Sequence, residues 1–136
     1  MDLRSRIAPR LVVHAHCDIP CGIYDPTPAK IAADTVAKMV EKITATTGKE
    51  NADRNTFIRC VAVKEEHAQI CKKELLILWS DYFKPEHLEK YPKLHDTFWK
   101  AAKLCSKNKQ TIDAAAATEL QAAVKEISDI FWATKK

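Results

Sequence analysis

The sequence predicts an all-α fold, an antiparallel four-helix bundle with a short hook at its N-terminus. Glycine occurs only twice in 136 residues, and this scarcity favours long helices over a turn-rich β fold. Four segments carry apolar residues at helical spacing, and short polar connections join them. Helices joined in this way pack as antiparallel neighbours, and the length suits a single domain.

The first helix is predicted to start within residues 25–28. Asp25 or Thr27 can serve as its N-cap, because a proline follows each of them and suits the first helical position. The helix should end near Gly48, a natural C-terminal breaker, and residues 49–53 form a polar connection. Its apolar stripe consists of Ile31, Val36, Met39, Val40 and Ile43.

The second helix is predicted over residues 53–80. Cys60 and Cys71 should lie on its buried side as small apolar fillers, because neither has a second thiol or histidine at chelating spacing. The rest of its apolar series is Phe57, Val61, Ala68, Leu75, Leu78 and Tyr82.

The remaining chain is predicted to form a loop and two more helices. Pro85 and Pro92 bracket the loop, which is rich in aromatic, histidine and charged residues. The third helix carries Leu94, Phe98, Ala101 and Cys105 and is ended by the polar stretch 106–110. The fourth begins with Thr111 as N-cap and continues through Ile112, Ala116, Leu120, Val124, Ile127 and Phe131.

Residues 16–26, before the first helix, hold a histidine, two cysteines, a tyrosine, two prolines and one of the two glycines. His16 directly precedes Cys17, and Cys21 follows at Cys-x-x-x-Cys spacing. Imidazole and thiolate are ligands for soft or borderline transition metals, and this spacing can close a small chelate ring around one ion. Proline and glycine force a turn. The stretch therefore predicts a metal-binding hook.

The run 16–24 resembles, without a gap, the N-terminal hook of the nickel superoxide dismutases, His-Cys-x-x-Pro-Cys-Gly-x-Tyr. Residues 78–85 and 131–136 resemble the same family, so the resemblance covers essentially all of 16–136. It implies one nickel ion per subunit and superoxide as the substrate, which is converted to dioxygen and hydrogen peroxide. It also implies a homohexamer of four-helix bundles.

The resemblance assigns the nickel ligands to His16, Cys17 and Cys21. The planar set comprises the α-amine of His16, the backbone amide nitrogen of Cys17 and the two sulfurs, and the His16 imidazole is axial. Thiolates and a deprotonated amide stabilise nickel(III), whereas four ligands in a plane suit nickel(II). These donors therefore suit a metal that alternates between the two oxidation states.

Residues 1–15 are predicted to be a leader. Their apolar run is too short for a secretory signal peptide, and their composition alone would equally suit a disordered tail. In the family, the hook's histidine is the mature N-terminus. We therefore expect a peptidase to cleave between Ala15 and His16 and to free the α-amine ligand.

Other roles also follow from the resemblance. Tyr24 and Tyr82 match tyrosines that border the substrate channel, and Asp18 matches a residue that braces the hook. The family's glutamate and arginine partners of the axial imidazole are replaced here by Ala32 and His67, of which His67 is the best-placed substitute. Without the resemblance, Tyr82 would be interpreted as a core aromatic residue and His67 as a surface histidine.

The formal net charge of +4 comes partly from the leader, and Lys and Glu are mixed along the helices that follow. This mixture argues against a nucleic-acid partner, whereas a mildly positive surface would attract a small anion. No apolar run is long enough to cross a bilayer. Five scattered cysteines favour a reducing compartment, and we expect a cytoplasmic protein.

Two other functions remain open on the sequence alone. Cys17 and Cys21 could cycle between dithiol and disulfide in a thiol redox or peroxide-sensing module. The chain could also deliver nickel without turnover. Nickel-dependent superoxide activity would distinguish dismutation from both.

Overall fold

The computed structural model describes residues 21–135, and within them the chain forms five α-helices and one π-helical turn, without strands. The leader and residues 16–20 of the hook lie outside the described residues. The elements are α1 (Thr27–Ala45), α2 (Asn51–Ile77), the π-turn (Leu78–Tyr82), α3 (Pro85–Lys90), α4 (Leu94–Gln110) and α5 (Ala114–Thr134).

The four long helices form a closed ring, in which α1 and α4 each pack against both α2 and α5. Short connections between consecutive helices make these neighbours antiparallel. One apolar core fills the centre of the ring. The predicted all-α four-helix bundle is confirmed.

Small side chains bring α1 close to its neighbours. Ala29, Ala32 and Ala33 are at most 1% exposed, and the buried stripe continues through Val36. The predicted place of Ile31 in this stripe is wrong, because its side chain is 59% exposed. Each residue turns the helix by about 100°, so Ile31 lies about 200° from both Ala29 and Ala33 and faces away from the core.

The buried side of α2 includes both predicted cysteines, Cys60 and Cys71. Phe57 is wrongly placed in the buried series, because it is 38% exposed. The residue that extends the stripe between the cysteines is Lys64, which is only 1% exposed and donates hydrogen bonds to backbone carbonyls at the end of α4. The apolar pattern did not predict the burial of Lys64, because lysine is a charged residue.

The boundary between α4 and α5 differs from the prediction. Helix α4 continues through the polar stretch to Gln110. Thr111 does not cap α5, since its hydroxyl donates to the Lys107 carbonyl at 2.8 Å and closes the end of α4. Asp113 is the N-cap, accepting from the Ala116 amide at 3.1 Å, and this bond lowers the pKa of its carboxyl group. Ile112 precedes the helix and is 48% exposed.

Helix α1 ends at Ala45, close to the predicted end, although Gly48 has no positive φ and forms no left-handed cap. One further detail of the connections was predicted incorrectly. The segment between Pro85 and Pro92 contains α3 instead of being a loop throughout. Pro85 is pre-organised for a first turn, and the His87 ring caps α3 by accepting from the Lys84 amide at 3.0 Å. In the described part of the chain, no helix is both long and apolar enough to span a membrane.

Candidate metal centre

Cys21 is the one predicted metal ligand within the described residues. Its thiol is free and solvent-exposed. Gly22 follows with φ of +65°, a left-handed conformation that glycine adopts without strain. The predicted turn is therefore present, and it leaves the Cys21 thiol on the outside of the bundle. His16, Cys17 and Asp18 lie outside the described residues.

The chain enters the bundle at Tyr24, which is 9% exposed and belongs to the core cluster. Asp25 then accepts a hydrogen bond from the Thr27 amide at 2.7 Å, but the N-cap position of α1 belongs to Pro26, so neither of the two predicted caps occupies it. Hydrogen bonds from the Thr27 hydroxyl and amide lower the pKa of the Asp25 carboxyl group. These contacts fix the segment directly after the hook against the start of α1.

The two predicted channel tyrosines lie together, with the ring centroids of Tyr24 and Tyr82 5.7 Å apart. Because α1 and α2 are antiparallel neighbours, the start of α1 lies at the same end of the bundle as the π-turn that follows α2. The two residues are 58 positions apart in sequence, and the bundle brings them to the same end.

The π-turn presents Tyr82 to this end of the bundle. The Phe83 amide donates to the Leu78 carbonyl at 3.1 Å, which is the wider i to i+5 pattern of a π-helix. Such turns occur frequently at functional sites. Tyr82 is half-buried, so its ring packs in the core while its phenol oxygen can take part in polar contacts.

Sequence reasoning assigned no role to several neighbours of Tyr82. The Phe131 ring lies 4.4 Å from the Tyr82 ring, and the His87 ring stacks on it at 5.8 Å. The phenol oxygen lies 2.7 Å from the Thr134 hydroxyl, and the Lys135 ammonium lies 5.0 Å from the ring centroid. The sequence indicated only that the stretch 131–136 resembles the family. Residue spacing within that stretch does not predict which side chains contact Tyr82.

The two substituted positions behind the hook have different surroundings. Ala32 is 1% exposed in the core and offers no hydrogen-bonding side chain. His67 is half-buried on α2, and its Nδ1 atom is buried without a hydrogen-bond partner among residues 21–135. His67 therefore carries a ring nitrogen whose hydrogen-bonding capacity is not used within the described bundle.

The other described cysteines belong to the core. Cys60, Cys71 and Cys105 are free and buried. The thiols of Cys71 and Cys105 share a hydrogen bond between α2 and α4, which raises the pKa of Cys71. Within residues 21–135, no group of three or more His, Cys, Asp or Glu side chains is placed to hold a metal ion.

Comparison with known proteins places these features in context. A family model described as nickel-containing superoxide dismutase matches residues 11–135. Proteins named superoxide dismutase [Ni] from Streptomyces seoulensis and Streptomyces coelicolor are 43% and 41% identical to this chain over 134 residues, covering 98% of both chains in each case.

Solved structures show the same similarity. A crystal structure of a nickel-containing superoxide dismutase, with nickel ligation corresponding to the state after partial X-ray-induced reduction, matches with a TM-score of 0.79 and 42% identity. A native nickel superoxide dismutase matches with a TM-score of 0.78 and 40% identity. Each comparison covers 88% of this chain and 98% of the solved chain.

Proposed function

The chain belongs to the nickel-containing superoxide dismutase family, and on this premise we propose that it disproportionates superoxide at its N-terminal hook. Two superoxide anions and two protons give one dioxygen and one hydrogen peroxide. The proposed ligands of one nickel ion per subunit are His16, Cys17 and Cys21. Nickel bound by these donors supplies the one-electron oxidation and the one-electron reduction that the two half-reactions need.

The observation that carries the proposal is the arrangement of residues 21–24, the described part of the hook. The turn at Gly22 exposes the free Cys21 thiol, and Tyr24 anchors the same segment against Tyr82. A free, exposed thiol suits a metal ligand, because the thiolate form can reach an ion without breaking a core contact. The donor chemistry at Cys21 therefore fits nickel.

The protein's own side chains would control access and hold the hook. Tyr24 and Tyr82 border the approach to the metal, where a phenol can exchange hydrogen bonds with a small anion or with water. Asp18 would brace the hook through backbone contacts. His67 would orient the axial imidazole in place of the family's charged partners, because ligand imidazoles are normally held through their second nitrogen.

Maturation, assembly and location form part of the same proposal. Removal of residues 1–15 by a peptidase would free the amine of His16. The solved chains cover 88% of this sequence, and the remainder is close in size to that leader. A homohexamer would cover apolar side chains such as Ile58, which is 66% exposed. The free thiols of the described cysteines suit a reducing compartment such as the cytoplasm.

The decisive experiment replaces Cys21 by Ser in the processed protein and measures nickel content, superoxide dismutation and helical circular dichroism. We expect both nickel and activity to be lost and the helical signal to remain, because Cys21 lies outside the core. The same change at Cys17 should behave alike. The control is Cys60→Ser in α2, which should keep its nickel.

Two outcomes would contradict the proposal. Collapse of the fold in Cys21→Ser would make this cysteine structural. Parental activity in protein freed of all metal would instead favour the thiol redox module at Cys17 and Cys21.

A further inference from the structure

Thr134, the last residue of α5, connects Tyr82 to the end of that helix. Its hydroxyl donates to the Phe131 carbonyl at 2.6 Å, and carbonyls in a last helical turn lack partners within the helix. The phenol oxygen of Tyr82 lies 2.7 Å from the same hydroxyl oxygen.

The direction of the second bond follows from the first. A carbonyl oxygen can only accept, so the single hydroxyl proton of Thr134 is used in the bond to Phe131. The Thr134 oxygen can then only accept from Tyr82. Tyr82 is therefore the donor, and its one phenolic proton points toward the end of α5.

Ring packing keeps the phenol oxygen of Tyr82 beside Thr134. The Phe83 ring meets the Tyr82 ring edge-on at 5.0 Å, and the Phe131 ring lies at 4.4 Å. The His87 ring stacks at 5.8 Å with an interplanar angle of 14°. Aromatic contacts at these distances hold a ring in one orientation, so the phenol oxygen of Tyr82 stays beside Thr134, and the hydrogen bond to Thr134 sets the direction of its proton.

We propose that Thr134 is a positioning residue for Tyr82, which draws the phenolic proton toward α5 and leaves only oxygen lone pairs for other groups. The functional consequence rests on the proposed dismutation. In this state Tyr82 accepts a hydrogen bond from water or from the protonated product, and it does not donate one to an arriving anion. Thr134 thereby limits how tightly anions are held beside the hook.

The tyrosine Fermi doublet in the Raman spectrum tests the proposal, because its intensity ratio distinguishes a donating phenol from an accepting one. Subtracting the spectrum of Tyr82→Phe isolates the signal of Tyr82. Metal-free protein is used, so that the result does not depend on dismutation. We expect a donor signature in the parent and in Thr134→Ser, and its loss in Thr134→Val.

Thr118→Val is the matched control. Thr118 is an exposed residue of α5 whose hydroxyl donates to the Ala114 carbonyl at 3.0 Å, so the change removes the same type of bond away from Tyr82. Its doublet should be parental. An unchanged doublet in Thr134→Val, or its loss in Thr134→Ser, would overturn the proposal. If Thr134→Val loses helix content, the parent decides alone, and an accepting Tyr82 there would overturn it.

Inhibition by azide, a monovalent anion, tests the consequence in nickel-loaded protein. Releasing the phenolic proton in Thr134→Val should lower the inhibition constant by about tenfold, the effect of one hydrogen bond to a charged group. Thr134→Ser and Thr118→Val should remain parental. If Thr134→Val is active and its inhibition constant is unchanged, Thr134 does not limit anion binding. A parent protein without dismutase activity would instead contradict the proposed function.

Discussion

His67 has a buried Nδ1 atom without a partner among residues 21–135. Leaving a buried polar atom unpaired costs about 1–3 kcal/mol, so its retention calls for a partner that the described bundle does not provide. An imidazole can either donate or accept a hydrogen bond. We therefore propose that His67 orients the axial imidazole of His16, a role that Ala32 cannot share.

This assignment predicts that His67→Ala lowers superoxide dismutation by about 10–100-fold, the range for losing a group that orients a metal ligand. Nickel content per chain should stay parental, because the substitution does not change any of the proposed nickel ligands. The electron paramagnetic resonance spectrum of the oxidised protein should change as well, since it reports the axial nitrogen. Glu66→Ala, at an exposed neighbouring position, is the control. A parental rate and spectrum in His67→Ala would make His67 a histidine without a role in catalysis.

Hydrophobicity identified most core positions at the level of single residues, and its failures have a geometric cause. Ile31 and Phe57 are apolar but exposed, whereas Lys64 is charged and buried. Helix faces are set by the packing of four helices together, and a residue one position from the buried stripe turns outward whatever its polarity. The apolar pattern of one helix alone does not show how the four helices pack together.

Lys64 acts at the level of secondary structure by closing the C-terminal end of α4. Its ammonium group donates to the carbonyls of Asn108 and Lys109, which belong to the last turn and lack partners within the helix. A cation also interacts favourably with the dipole at a helix C-terminus. Burial opposes the charge and lowers the pKa of Lys64 below its ordinary value of 10.5.

The lowered pKa predicts how stability depends on pH. Between the folded-state pKa of Lys64 and 10.5, the unfolded chain binds more protons, so the free energy of unfolding should rise with pH. Replacing Lys64 by Met should remove this rise, as measured by urea unfolding of metal-free protein from neutral pH to pH 10.5. Lys73→Met, at an exposed position of α2, should keep it. The same slope in Lys64→Met and in the parent would contradict the prediction.

Helix ends were less predictable than helices. Thr111 and Asp113 are both good N-cap residues, and they lie only two positions apart in the α4–α5 connection. Thr111 instead bonds backward to Lys107, which is possible because α4 continues to Gln110. The end of α4 and the start of α5 depend on each other, whereas the sequence pattern predicts each boundary separately.

At the scale of the whole molecule, the hook and the bundle follow from different kinds of information. The hook pattern 16–24 is local, so the ligand hypothesis required only adjacent residues. The surroundings of Tyr82 are not local, since Thr134 is 52 positions away and Tyr24 is 58 positions away. Contacts of that kind arise only when all four helices have packed, and spacing along the chain does not predict them.

The separation between hook and bundle also makes a prediction about processing. A chain that begins at His16 should bind nickel and dismutate superoxide, because its free α-amine can serve as a ligand. A chain that begins at Ala15 should be nearly inactive, since an amine within a peptide bond is a poor donor. The two chains differ by one residue that precedes the described bundle of residues 21–135, so their circular dichroism and thermal unfolding should agree. Both are measured with equal nickel supply, and mass spectrometry confirms each N-terminus. Equal activity in the two chains would exclude the amine as a required ligand and favour chemistry based on the two cysteine thiols.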